Sequence, residues 1–244
     1  QQPLGAELKL VAGADYRRSV SDQSFFSDGL FGSSATTYSG DSLRQKQLGL
    51  YAALNWNSKK NINVEAGSRI NFHSAYDNHI VYNLNPSWLI HKKVKLFANF
   101  SSAYRTPSLY QLYSEYGNRK LNPEAAVSAE AGVQYIAPGN KFTGRITGFS
   151  RRVKDVIIFF YDPSTFRAQY INQDKQKDHG LEAEASFNIS SGTSIKAFYT
   201  YVTGEITTLS NGKDTTYFNL LRRPKSSAGI SIGHRISPRL YVSS

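Results

Sequence analysis

The sequence predicts an all-β chain, the wall of an antiparallel transmembrane β-barrel of the outer-membrane type. Three observations predict it. Apolar and polar residues alternate with a period of two in one segment after another. Short and long connections between those segments follow each other in strict turn. Aromatic residues gather near both ends of the segments, where hydrocarbon would meet water.

Along the chain, Glu7–Tyr16 opens the wall and Leu48–Trp56 follows, with Leu48, Leu50, Ala52, Leu54 and Trp56 opposite Gly49, Tyr51, Ala53 and Asn55. Ile62–Phe72 sets Ile62, Val64, Ala66, Ser68, Ile70 and Phe72 against Asn63, Glu65, Gly67, Arg69 and Asn71. Ile80–Ile90, Val94–Ala103, Glu124–Ile136 and Phe142–Arg152 come next. Leu181–Ile189 again alternates, Leu181, Ala183, Ala185, Phe187 and Ile189 against Glu182, Glu184, Ser186 and Asn188. Thr193–Thr203, Ala228–Ile236 and the segment from Leu240 onward bring the candidates to eleven. One face of each would meet lipid and the other water. No helix of any length is predicted. Pro86, inside a candidate strand, lacks the N–H a central ladder needs, so a bulge is expected there.

The short connections Asn57–Asn61, His91–Lys93, Ala137–Asn140, Ser190–Gly192 and Ser237–Arg239 carry the Gly, Pro, Asn and Ser of tight turns. They alternate with Arg17–Arg44, His73–His79, Tyr104–Pro123, Val153–Lys177 and Gly204–Ser227, most of them long. A β-sandwich has no reason to sort its connections this way, whereas outer-membrane barrels keep short turns inside and long loops outside. Trp56, Trp88, Tyr135 and Phe142 fall near the short-turn ends and Phe72, Tyr82 and Tyr201 near the long-loop ends, as two interfacial girdles would.

Composition narrows the function classes. The 244 residues are 40% hydrophobic and 13% aromatic, enough for a β-rich fold. No apolar run approaches the length of a membrane-spanning helix. Gln1-Gln2-Pro3 opens the chain without the regions of a signal peptide, so any targeting segment is expected upstream or removed. Cysteine is absent, which excludes disulfides and thiolate chemistry. The net charge of +11 invites nucleic acid, but the cations are scattered in pairs such as Lys59-Lys60, Lys92-Lys93, Arg151-Arg152 and Arg222-Arg223. No nucleic-acid partner is expected.

Enzymatic constellations are missing too. There is no phosphate-binding glycine loop, no Gly-x-Ser-x-Gly elbow and no His-Glu-x-x-His motif. Glu182 and Glu184 sit near each other on one strand face, as a glycosidase pair would, but they read as lining of a polar lumen. His73, Asp77 and His79 share a short loop, and Asp22, Asp28 and Asp41 a long one. The first group could hold a metal and the second suits calcium, but the second lacks the Asp-x-Asp-x-Asp-Gly spacing and both read as solvated loop residues, so no metal, no cofactor and no catalysis are expected.

Residues 94–236 also carry motifs. Tyr104-Arg105-Thr106-Pro107-Ser108-Leu109, Gln111-Leu112-Tyr113, Tyr116-Gly117-Asn118 and Leu121-Asn122-Pro123-Glu124 resemble a loop and strand start of TonB-dependent outer-membrane receptors, most of all the vitamin B12 transporter branch. Asp155-Val156-Ile157, Tyr170-Ile171-Asn172 and His179-Gly180-Leu181-Glu182 resemble the family's next hairpin, and Arg223-Pro224-Lys225 its approach to a later strand. The resemblance implies a barrel of about 22 strands around an N-terminal plug, in the outer membrane of a Gram-negative bacterium. It implies energised import of a large, scarce nutrient, a corrinoid or an iron-siderophore, through TonB.

Residues 1–244 then correspond to a partial barrel domain without plug, TonB-contacting segment or last strands, the region that meets TonB lying outside this sequence. Alone, such a piece is expected to aggregate, need detergent or pair with the rest of the barrel. Pro107 is expected to end strand pairing and Pro123 to mark its return, with Glu124 accepting backbone donors where the ladder restarts. The candidate ligand-binding residues are Tyr104, Arg105, Tyr110, Tyr113, Tyr116, Asn118 and Arg119 in one outer loop and Tyr161, Phe166 and Tyr170 in the next. Rigid amphipathic rings beside polar groups suit a bulky corrinoid or siderophore. The same rings could instead pack the loops on themselves. The rival functions are a passive porin-like or structural barrel and a soluble all-β carbohydrate-binding module.

Overall fold

The computed structural model describes residues 2–5, 8–30, 32–162, 165–210, 213–217 and 224–244. Gln1, Glu7, Arg222 and Arg223, named above, lie outside the described residues. The strands are β1 (Gln2–Gly5), β2 (Leu8–Val20), β3 (Gln23–Gly29), β4 (Gly32–Tyr38), β5 (Arg44–Asn57), β6 (Ile62–His73), β7 (His79–Ile90) and β8 (Val94–Arg105). After the helix α1 (Leu109–Tyr113) come β9 (Glu124–Ile136), β10 (Phe142–Asp162), β11 (Arg167–Ser190), β12 (Thr193–Ser210), β13 (Lys213–Tyr217), β14 (Ser226–Ser237) and β15 (Leu240–Ser243).

One antiparallel sheet of thirteen strands holds the chain, in the order β1-β2-β5-β6-β7-β8-β9-β10-β11-β12-β14-β15, with β13 paired to the far end of β12. Every wall strand pairs with its neighbour in sequence, apart from the β3–β4 hairpin and β13 that sit within long connections. The path is open, β1 and β15 each pairing on one side. No second sheet packs face to face with it among the described residues, which removes the sandwich reading. All eleven expected strands are present, and β1, β3, β4 and β13 are added, with β3 and β4 forming a hairpin inside the Arg17–Arg44 connection that was expected to be a loop.

The alternation dictates the two faces. Leu10, Leu54, Ala66, Leu84 and Phe100 stand side by side across five strands, so one face is a continuous apolar band. Its large residues are exposed, among them Leu50, Trp56, Trp88, Leu96 and Ile146, which is how a lipid-facing surface looks without its lipid. The opposite face carries hydrogen-bonded polar chains. Glu65 accepts from Asn83 and Asn85 at 3.1 and 3.2 Å, Arg69 pairs with Asp15, and Arg151 pairs with Asp178. Glu182 and Glu184 project from this face and line it, as their spacing implied.

Three local expectations change. At Pro86 there is no bulge: β7 keeps its register with β8 from Asn83↔Ser101 to Ile90↔Val94 and leaves out the bridges at Asn85 and Pro86, while Pro86 still stands opposite Val64. A missing N–H removes a bond without forcing an extra residue. Val153–Lys177 is no loop, because β10 and β11 continue as one ladder to Asp162↔Arg167. Gly204–Ser227 likewise begins as strand, β12 running on to Ser210.

The tight turns are as short as expected, yet their left-handed positions are not all the usual residues. Asn61, Asn140 and Gly139 take positive φ, and so do His91 and Lys92 at 48° and 60°. Each such non-glycine residue costs about 1 kcal/mol, which the flanking ladders offset.

Candidate ligand-facing site

At the long-loop end, strand pairing stops at Arg105 and resumes at Glu124, with Pro107 and Pro123 at the two borders as expected. Between them the chain makes one helical turn that the strand pattern did not foresee. Ser108 caps it: its hydroxyl accepts from the Gln111 N–H at 3.1 Å, and the Gln111 side chain accepts from the Ser108 N–H at 3.0 Å. The Ser-x-x-Gln spacing was the available signal. With five residues, α1 is too short for periodicity to reveal.

The loop is stapled onto the extended β10–β11 hairpin. Leu112 and Leu121 from the loop and Ile157 from β10 form a small buried core, flanked by Tyr113 and Tyr170. Asn172 clamps it: its amide N–H groups donate to the carbonyls of Asn122 at 3.0 Å and Asp155 at 2.7 Å, and its Oδ1 accepts from the Asn122 N–H at 2.8 Å. Asn118 donates to the Tyr170 carbonyl at 3.0 Å, and the Tyr170 N–H returns a bond to Tyr116 at 2.9 Å. Glu124 accepts from the Ile157 N–H at 2.7 Å and from Arg105 at 2.6 Å, the backbone role expected of it. Gly117 is required here because a Cβ would lie 2.7 Å from the Leu112 backbone.

The neighbouring His73–His79 connection leans on the same loop. Tyr76 donates its hydroxyl to the Leu121 carbonyl at 3.3 Å. Burial, and then the nearby Tyr104 and Tyr113, push its phenol up to about 12. The His79 ring stacks on Tyr104 at 4.0 Å, and His73 lies against Tyr76. No cluster of three His, Asp or Glu suited to a metal occurs among the described residues.

The ten expected contact residues therefore divide. Tyr113 and Tyr170 pack inward, and Asn118 spends its amide on the loop itself. Tyr104 is stacked and half-buried. Arg105 is tied to Glu124. Tyr116 meets Phe159 edge-on at 5.3 Å, with its phenol raised by a bond to Glu115. Tyr110, Arg119, Tyr161 and Phe166 stay exposed, Arg119 with its guanidinium over the Tyr113 ring at 4.9 Å. Exposed Phe159, which the sequence did not single out, joins them. An apolar hollow lined by Gly144, Ala183, Ala185 and Ala197 lies away from these loops on the lipid-facing side.

A family model for "TonB dependent receptor-like, beta-barrel" matches residues 1–240. Among solved structures, the siderophore receptor PirA from Pseudomonas aeruginosa is 20% identical with a TM-score of 0.68, over 99% of this chain and 48% of that one. The copper transporter OprC is 17% identical with a TM-score of 0.71, over 96% and 40%. The FrpB iron transporter from Neisseria meningitidis is 15% identical with a TM-score of 0.68, over 97% and 39%. The chain thus spans less than half the length of each of these structures.

Proposed function

The chain belongs to the TonB-dependent receptor-like β-barrel family of the Gram-negative outer membrane, and from that premise we propose that it serves TonB-energised uptake of a large, scarce nutrient. The supporting observation is an outer surface of Tyr110, Arg119, Tyr161 and Phe166 held in place by a buried core and a bonded clamp. Preformed aromatic area binds with little ordering cost. In this reading the exposed rings and Arg119 touch the ligand, while Tyr113, Asn118 and Tyr170 position the loop.

Two ligand classes fit. The loop motifs resemble the vitamin B12 transporter and favour a corrinoid. The fold shared with the siderophore receptor PirA favours an iron-siderophore. Binding of cyanocobalamin and of ferric enterobactin to the full-length receptor separates them. Tyr110→Ala and Phe166→Ala each weaken the bound probe about tenfold. Unchanged affinity in both variants removes this surface from the site. Uptake that persists in cells lacking TonB would make the protein a passive barrel instead.

A further inference from the structure

A polar cavity of about 180 Å³ lies on the polar face of the wall, beneath the loop that follows β8. Its floor is one row of side chains. Arg17 on β2 stands opposite Gln47 on β5, and Gln47 stands opposite His73 on β6. Neighbouring strands lie about 4.8 Å apart, so the three stand side by side. Ser19 and Gln45 form the pair two residues further out. Thr106, Pro107 and Ser108 make the roof, tied down by the Gln45 amide, which donates to the Pro107 carbonyl at 3.4 Å.

This lining is rich in donors, and no carboxylate belongs to it. His73 Nδ1 accepts from the Ala75 N–H at 3.1 Å, which leaves the ring proton on Nε2. The Ser108 hydroxyl accepts from the Gln111 N–H and keeps its own proton to give. Arg17 takes part in none of the ion pairs among the described residues. Asp15, two residues back on the same strand face, gives both its oxygens to Arg69. Arg69 reaches it across Gly49, where a Cβ would strike the guanidinium. Asp15 and Arg69 thus cancel each other, and the row keeps the charge of Arg17.

We propose that this pocket binds a phosphate group. A guanidinium beside hydroxyl, amide and imidazole donors matches an oxyanion, and its planar fork suits phosphate. The oxygens of a phosphate can meet floor and roof together, whereas a carboxylate has only two to share. The cavity is smaller than the roughly 300 Å³ at which pockets begin to hold drug-sized ligands. It therefore takes a single group and not a whole corrinoid or siderophore. The site is separate from the outer aromatic surface and does not depend on what that surface binds.

The test is equilibrium dialysis of the full-length receptor in detergent against radiolabelled orthophosphate. The parent binds it saturably, and Arg17→Gln weakens binding at least about tenfold. Arg17→Lys keeps the charge without the fork and retains part of the affinity. Thr106→Val removes one roof donor and costs about fivefold. Lys60→Gln, the same charge change at the short-turn end, leaves binding as it was. Heat-modifiable gel mobility verifies folding, and Thr106→Val carries the test if Arg17→Gln fails to fold. Two sources of phosphate are separated with cyanocobalamin, which carries a phosphodiester. If orthophosphate displaces it and Arg17→Gln weakens it, the imported nutrient brings the phosphate. If its affinity is indifferent to both, the pocket takes the free ion. Absence of saturable orthophosphate binding by the parent overturns the proposal, as does equal binding by the parent, Arg17→Gln and Thr106→Val.

Discussion

The wall below residue 152 and the layer above it are built from the same β10–β11 ladder, yet they are held by different forces. In the wall, backbone bonds are satisfied strand to strand, the lipid-facing side chains answer to hydrocarbon, and the polar-face side chains bond to one another, as Glu65 does with Asn83 and Asn85. Above the membrane both faces meet water, so the ladder alone specifies little. There Leu112, Leu121 and Ile157, with the Asn172 clamp, fix one loop conformation. The contrast predicts that the wall is sensitive to which face a change falls on, and the upper layer to which residue it is.

The largest expected effect is in the upper layer. Leu121 is 2% exposed in a core of three buried residues, so Leu121→Ala has few neighbours able to close the cavity. It costs the docked loop about 3 kcal/mol. Hydrogen exchange at the amides of Asn118 and Tyr170 should rise about 150-fold, while the melting of the wall stays put. A global loss of stability with no local change would erase the distinction between the two layers.

The wall is tested by two adjacent alanines. Ala52 faces lipid beside Ala12 and Ser68, and Ala53 faces the polar side beside Val11 and Gly67. Ala52→Lys should cost about 2–4 kcal/mol in denaturant unfolding from lipid vesicles, and Ala53→Lys less than about 1 kcal/mol. Equal costs would mean that the faces are misassigned, since a one-residue shift exchanges them.

Asn172→Ala comes next. It removes donors and an acceptor that serve Asn122 and Asp155, leaving backbone groups without their partners. The loop should lose about 1–3 kcal/mol, read as faster proteolysis within residues 105–123. Asn172→Asp keeps the acceptor for the Asn122 N–H and should recover part of the loss. If Asn172→Ala leaves proteolysis unchanged, the apolar core alone docks the loop.

The same contrast explains what the sequence disclosed. Strands such as β5 and β6 were legible because lipid on one side and water on the other write a period of two into them. The upper parts of β10 and β11 were not, because Arg152, Lys154, Lys175 and Lys177 break the apolar rhythm while the backbone ladder continues. At the site, the crowd of aromatics could be read directly. Which rings turn inward could not, since that depends on Leu112, Leu121 and Ile157 meeting across more than thirty residues. The helix α1 announced itself only through Ser108 and Gln111. Glu124 was foreseen as a backbone acceptor because a strand restarting after Pro123 leaves donors to satisfy.

The smallest effect concerns pH. Tyr76 docks one loop on the other through its bond to the Leu121 carbonyl, and its phenol is held up to about 12 there. In an undocked loop it would titrate near about 10. Between those values the undocked form binds fewer protons than the docked one, so docking weakens as pH rises. The contribution is fully present below about pH 10 and is lost as pH climbs through about 12. The tyrosinate absorbance difference between the parent and Tyr76→Phe should therefore appear near the upper value, together with faster exchange at Leu121. A difference centred near the lower value would place Tyr76 in water and detach the two loops from each other.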